Sequence, residues 1–306
     1  MKEQLPRRDF IKMGMFALAA AKGLGLSKRQ RLRLSFSTLG CPDWNFQKIL
    51  DFAAANAYSG LEIRGILRQM DLVKCPEFAD AGSRKTTMHR MEDKRLQFVD
   101  LGSSAEMHHT DATEREKQLD EAKRFIDLAA EIDCPFVRVF PNKMVNADPA
   151  ATIDVLSSAL TAAGDHARGS GVMVLMETHG EVVDAGLIRD IMQRVNHPKV
   201  GLVWDVANMW TVTKQPPADV YAQLKPYVHH THIKDAKLVN NVPQYQLMGQ
   251  GEVPIFDAIR ILRESGYRGF YSFEWEKLWH PEIDDPAVAI AQYPKAMKEH
   301  FTSLHL

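Results

Sequence analysis

The residues of this chain best suited to chemistry stand where apolar runs end. Val172-Met173-Val174-Leu175-Met176 closes on Glu177, Gly201-Leu202-Val203-Trp204 on Asp205, and Phe270-Tyr271-Ser272-Phe273 on Glu274. A fourth run, Val228-His229-His230-Thr231-His232-Ile233-Lys234-Asp235, carries histidines inside it. With a side-chain period of two, Glu177 and His179 share the face of Leu175, and His230, His232 and Lys234 share another at increasing height. A single acid at a strand end often only caps the next helix. Carboxylates brought together from separate strands repel one another and raise their own pKa values, a conflict that a divalent cation removes. Glu177, Asp205, His232 and Glu274 are therefore read as a metal site. Its oxygen-rich donor set with one imidazole suits manganese, magnesium, cobalt or iron better than zinc.

Such a site suits removal of a proton next to a carbonyl, the ion polarising the oxygen. Return of the proton gives isomerisation or epimerisation, whereas departure of a β-substituent gives elimination; the quartet itself does not choose. A lyase that expels the aglycone from a 3-keto-glycoside is the alternative, with His108, His109, His179, Lys234 and His280 as candidate acids or bases. A non-catalytic sugar-binding barrel that keeps the ion for stability is a third reading, and retention of both Glu177 and Glu274 weighs against it. Glu62 and Arg64 alternate onto one face of a strand, and Arg138 interrupts the apolar run Phe136–Phe140; both positions suit either substrate contact or a buried ion pair. Trp44, Trp210 and Trp279 fall in expected loops, as walls for a sugar ring or as packing anchors.

Positioning these residues requires short strands alternating with longer helical segments. Strands are expected at Leu32–Thr38, Leu61–Arg64, Leu96–Leu101, Phe136–Phe140, Val172–Glu177, Val200–Asp205, Val228–Ile233 and Phe270–Glu274. Parallel strands with crossover helices in this number predict a closed (β/α)8 TIM barrel, an α/β fold whose reacting groups sit at the carboxyl-terminal strand ends. Asp111 is placed to cap a helix from Ala112, with Glu114 completing a capping box, and Asp43, Asp148 and Asp184 stand at similar starts. After residue 31 no composition break appears, so residues 32–306 are expected as one catalytic domain.

The formal net charge of -1 hides an asymmetry: residues 1–31 hold eight Lys or Arg against Glu3 and Asp9, leaving about -7 on the rest. An acidic body offers no general attraction for nucleic acid. Cys41, Cys75 and Cys134 are odd in number and widely spaced, which reads as buried or incidental thiols. Arg7-Arg8-Asp9-Phe10-Ile11-Lys12 followed by the apolar run Met13–Ala21 has the order of an export signal and resembles the twin-arginine type, departing from it at Pro6. Residues 1–31 are accordingly read as a signal peptide and basic linker, with transient export machinery as a partner and the periplasm or cell exterior as destination. Sugar phosphates are chiefly cytoplasmic and no Gly-rich phosphate loop is evident, so a non-phosphorylated sugar is the expected substrate.

Residues 32–306 resemble the sugar phosphate isomerase and epimerase superfamily, the xylose isomerase-like barrels that include ketose 3-epimerases, inosose dehydratases and endonuclease IV. The carriers are Glu177, Asp205 with a polar residue three positions on, His232-Ile233-Lys234-Asp235, the turn Gly249-Gln250-Gly251-Glu252, and Glu274. The resemblance implies Glu177, Asp205, His232 and Glu274 as ligands of one divalent metal ion, Glu177 and Glu274 as the catalytic proton carriers, and pairing as a homodimer. Many members have histidine where this chain has Asn208, which hydrogen-bonds but neither ligates nor titrates as histidine does. Endonuclease IV uses further acids and histidines just before the glycine turn; here that stretch is Pro243-Gln244-Tyr245-Gln246-Leu247-Met248, which disfavours nuclease chemistry. Substrate contacts are expected from Glu62, His108, Arg138, His179, Asn208, Lys234 and His280.

Overall fold

The computed structural model describes residues 32–303, so the export-signal reading of residues 1–31 lies outside the described residues. Strands β1 (Leu34–Ser37), β2 (Gly60–Ile63), β3 (Gln97–Glu106), β4 (Phe136–Phe140), β5 (Met173–Glu177), β6 (Val200–Asp205) and β7 (Val228–Ile233) follow in chain order. After a hairpin of β8 (Asp235–Val239) and β9 (Val242–Gln246), β10 (Tyr271–Phe273) completes the set. The barrel closes in the order β1-β10-β7-β6-β5-β4-β3-β2, and its pairings are all parallel. The expected (β/α)8 barrel is the fold.

Helices α1 (Phe46–Ala55), α2 (Ala81–Asp93), α3 (Ala112–Glu131), α4 (Pro149–His166), α5 (Ala185–Val195), α6 (Val206–Thr213), α7 (Pro217–Leu224) and α8 (Ile255–Glu264) cross between strands, and α9 (Pro286–Ser303) follows β10. α5 and α8 show the pattern best: Ile188, Ile191, Met192 and Val195 on one, and Ile255, Ala258, Ile259 and Leu262 on the other, turn buried stripes to the sheet. Asp111, Asp148 and Asp184 cap as expected, each carboxylate accepting a first-turn N–H at 2.9 Å. Asp43 does not: Asn45 caps α1, while Asp43 reaches outward to Arg68 at 2.7 Å. The capping box at Asp111 is only half made, because the Glu114 carboxylate accepts from Gln118 and Lys117 instead.

The β8–β9 hairpin is an addition to the expected elements. Asn240 and Asn241, at φ 53° and 63°, form its two-residue turn, the type I′ geometry that asparagine tolerates and antiparallel strands favour. Pro243 within the second strand and its mixed exposure weaken the periodic signal, which is why a strand there escapes a pattern-based reading.

Candidate metal centre and its surroundings

Register brings the quartet together. Asp205, the last residue of β6, pairs with His232 on β7, and His232 pairs on its other side with Ser272 on β10, directly before Phe273 and Glu274. Glu177 ends β5 beside Val203 of β6. Ligand atoms of Glu177, Asp205, His232 and Glu274 all lie within 4.8 Å of one another, and all four side chains are buried. His232 Nδ1 stands 3.3 Å from Glu177 Oε1 and 3.3 Å from Glu274 Oε1, and 3.9 Å from Asp205 Oδ2. Buried Glu177 Oε2, Asp205 Oδ2 and His232 Nδ1 have no hydrogen bond of sound geometry. Three carboxylates around an imidazole nitrogen left without a partner are a donor set that fits a divalent ion.

The groups behind the quartet explain its electrostatics. Glu62, at the carboxyl-terminal end of β2, is wholly buried, and its Oε2 accepts from His232 Nε2 at 2.9 Å, His230 Nε2 at 3.1 Å and Ser272 Oγ at 3.1 Å. Of the two readings open for it, substrate contact or a buried ion pair, these contacts match the second: its hydrogen-bonded oxygen faces the back of His232, where it fixes the ring so that Nδ1 faces the carboxylates. Lys234, also buried, lies 2.8 Å from Asp205 Oδ2 and 2.6 Å from Glu274 Oε2 and donates to Glu276, whose Oε1 also accepts from the Tyr245 hydroxyl at 2.9 Å. Arg138, on β4, ion-pairs through Nε with Glu177 Oε2 at 3.2 Å.

These contacts set protonation in the metal-free state. Burial works to raise Glu274, yet His232 and Lys234 hold it well below the usual carboxylate range. Glu177 is also lowered: burial and Glu274 push it up, and His232 and Arg138 outweigh them. Burial pushes Asp205 up to about 7 against the pull of Lys234. Burial opposes the charge on His232, but Glu274, Glu62 and Glu177 raise its pKa well above the ordinary histidine value.

The other expected site residues distribute around the mouth. Asn208, in the first turn of α6, places Nδ2 3.5 Å from Glu177 Oε1. His179 Nδ1 meets Asn142 Oδ1 at 2.9 Å, Asn142 donates to Glu106 at 2.8 Å, and Glu106 meets His109 Nε2 at 3.2 Å, so a polar chain joins the loops after β3, β4 and β5. His108 lies 3.8 Å from the same Glu106. Glu106, His108 and His109 form a second, half-buried grouping of potential ligands, and Glu62, His230 and His232 a third, fully buried one. His280 stands at the rim, edge-on to Tyr245 with ring centres 5.0 Å apart. Trp44 is buried against Phe52, a packing anchor; Trp279 is exposed. Arg64, Glu276, Tyr245 and Asn142 complete the surroundings. Tyr245 enters only through the unexpected hairpin, and Glu276 follows from continuing the alternation of β10 past Glu274.

Asp235 accounts for the glycine turn that follows the hairpin. Its carboxylate accepts from the N–H groups of Ala236, Gly249 and Gly251, each at 2.9 Å, so the turn folds around the residue next to Lys234. A Cβ on Gly251 would collide with Asp235 Oδ1, which explains the glycine.

Residues 50–300 match a protein family described as xylose isomerase-like TIM barrel. No curated protein matches by sequence. Among solved structures, the chain is similar to the probable 3-DHS dehydratase AsbF of Bacillus anthracis, at 16% identity and a TM-score of 0.69 over 87% of this chain and 99% of that one. It is similar to the 3-keto-D-glucoside 4-epimerase YcjR of E. coli, at 14% identity and a TM-score of 0.68 over 89% and 100%. It is also similar to the IolI protein, whose structure has a bound zinc atom, at 17% identity and a TM-score of 0.72 over 86% and 96%.

Proposed function

The chain belongs to the xylose isomerase-like TIM barrel family, and from that premise we propose that it is a divalent-metal-dependent isomerase or epimerase that moves a proton next to the carbonyl of a non-phosphorylated sugar. The observation that carries this reading is the convergence of Glu177, Asp205, His232 and Glu274 within 4.8 Å in a buried setting. One manganese, magnesium, cobalt or iron ion held there would supply Lewis-acid polarisation of the carbonyl oxygen. Glu177 and Glu274 flank His232 at equal distance, and both keep low pKa values in spite of burial. One takes a proton from one side of the substrate and later loses it to solvent, while the other, loaded with a proton from solvent, delivers that proton from the opposite side. Arg138 and Asn208 orient Glu177, and Lys234 orients Glu274. His108, His179 and His280 at the mouth bind hydroxyls of the sugar. Elimination from a 3-keto-glycoside is the second reading, favoured by the Tyr245 hydroxyl and His280 meeting at Glu276, where proton donors suit a leaving oxygen.

Purified protein is expected to hold about one divalent ion per chain, measured by plasma mass spectrometry. Incubated in deuterated water with free ketoses and 3-keto-glycosides, it is expected to place deuterium in an intact sugar; release of the aglycone would instead establish elimination. Glu177→Gln and Glu274→Gln are each expected to abolish turnover while the circular dichroism of the fold is kept. Full activity in either variant overturns the proton-transfer role. Export through the Arg7-Arg8 segment is part of the proposal, tested by whether Arg7→Lys with Arg8→Lys retains the protein in the cytoplasm.

A further inference from the structure

A buried guanidinium with no ion pair among the described residues lies beside the proposed centre. Arg64 follows β2 directly and is 4% exposed. Its Nη2 donates to the neutral Ser104 hydroxyl at 2.9 Å, and its buried Nη1 has no hydrogen-bond partner. Among the described residues no carboxylate is close enough to ion-pair with it, whereas Arg138 already has Glu177. The two arginines are neighbours: a Cβ on Gly102 would come within 2.6 Å of Arg64 Cδ and 2.8 Å of Arg138 Nη2, so bare backbone lets both pass. Burial first, and then repulsion from Arg138, pull the Arg64 pKa from its ordinary value down to about 9, while Glu121, Glu177 and Glu274 pull the other way.

Leaving a charge buried and unpaired is among the costliest arrangements a fold can retain. Arg64 stands at a carboxyl-terminal strand end, the level at which barrels of this kind meet their substrates. We propose that Arg64, seconded by Arg138, receives a carboxylate of the substrate, so that the sugar acted on is a sugar acid. One negative charge fits better than two, because Arg138 is already neutralised by Glu177 and a phosphate dianion would leave a surplus beside that carboxylate. A planar carboxylate also matches the guanidinium fork. This assignment rests on the proton-transfer reading of the same site.

The test uses manganese-loaded protein and titration calorimetry with glucuronate, galacturonate, glucose, galactose and glucose 6-phosphate, and with acetate as the minimal probe. A uronate is expected to bind about 10- to 100-fold more tightly than its parent hexose, the range of a charge-assisted pair. Arg64→Gln is expected to erase that preference without changing manganese content, and Arg64→Lys to keep part of it. Acetate is expected to compete with the uronate in the wild type. Equal binding of uronate and hexose, no binding of either, a preference for the phosphate, or a preference that survives Arg64→Gln overturns the assignment. The wild-type comparison holds even if the variants fail to fold. A protein that binds manganese and exchanges substrate deuterium but ignores the carboxylate would sink this inference and leave the proposed function standing. Absence of metal would strike the proposed function itself.

Discussion

His232 illustrates how one side chain is prepared for a task by its neighbours. Its Nε2 is tied to Glu62 at 2.9 Å, so the hydrogen sits there and Nδ1 is the nitrogen turned to the carboxylates. Glu62 also holds His230 and Ser272, which locks its own rotamer. Replacing Glu62 by Gln removes the charge and offers an N–H where an acceptor is needed. Manganese affinity is expected to fall about 10- to 100-fold, measured by competition with a fluorescent chelator, with the circular dichroism unchanged. Undiminished affinity would show that the ring needs no such support. The quartet was legible in the sequence because each acid ends an apolar run. The role of Glu62 was not: alternation put it on the barrel face, but only the β2–β3 and β7–β10 registers decide how deep it lies.

At the scale of elements, strands and helices announced themselves through period, and the polar hairpin did not. β1, β5, β6 and β10 are short runs buried almost throughout, as parallel barrels require. β8 opens on buried Asp235 and Ala236, and the rest of β8 and β9 mixes polar and apolar residues around Pro243, so no apolar period stands out. Their Asn240-Asn241 turn was nevertheless a readable hairpin signal. This hairpin delivers Tyr245 to Glu276 and leads into the turn held by Asp235. The motif residues Lys234-Asp235 and Gly249-Gln250-Gly251 thus share a physical cause, since the acid that binds the turn is the chain neighbour of the lysine that binds Asp205 and Glu274. Gly251→Ala is expected to force Asp235 away from the turn and to destabilise the fold by about 1–3 kcal/mol, measured by urea unfolding. Turnover should fall as well, because Lys234 is repositioned. A variant with wild-type stability and turnover would show the turn to be loosely held. Asp184→Ala, which removes the α5 cap and a 3.4 Å hydrogen bond from Gln215, is expected to cost about 1 kcal/mol and to leave turnover intact.

For the whole molecule, the barrel has folded around an excess of buried negative charge, and Lys234 and a protonated His232 counter it when no ion is bound. Ligation through His232 Nδ1 needs that nitrogen without its proton, so loading must expel a proton. The direction follows from the shifts. The folded-state pKa of His232 lies well above its ordinary value, so its stabilisation of the metal-free protein is complete below the ordinary histidine pKa and disappears as pH rises through the elevated one. Asp205, pushed up to about 7, likewise holds a proton on the acid side of neutrality. Glu177 and Glu274 are lowered, so neither takes up a proton at neutral pH. Manganese affinity is therefore expected to rise with pH, by about tenfold per unit while one proton is exchanged. An ion at 100 times its Kd stabilises the native state by about 2.7 kcal/mol. For a domain of this size that corresponds to roughly 5–10 °C in Tm. Thermal unfolding with and without a fixed manganese concentration between pH 5.5 and 8 should show the increment growing from near zero to that range. An increment that is constant, or larger at pH 5.5, would mean that neither His232 nor Asp205 gives up a proton to the ion, and that the quartet does not hold it.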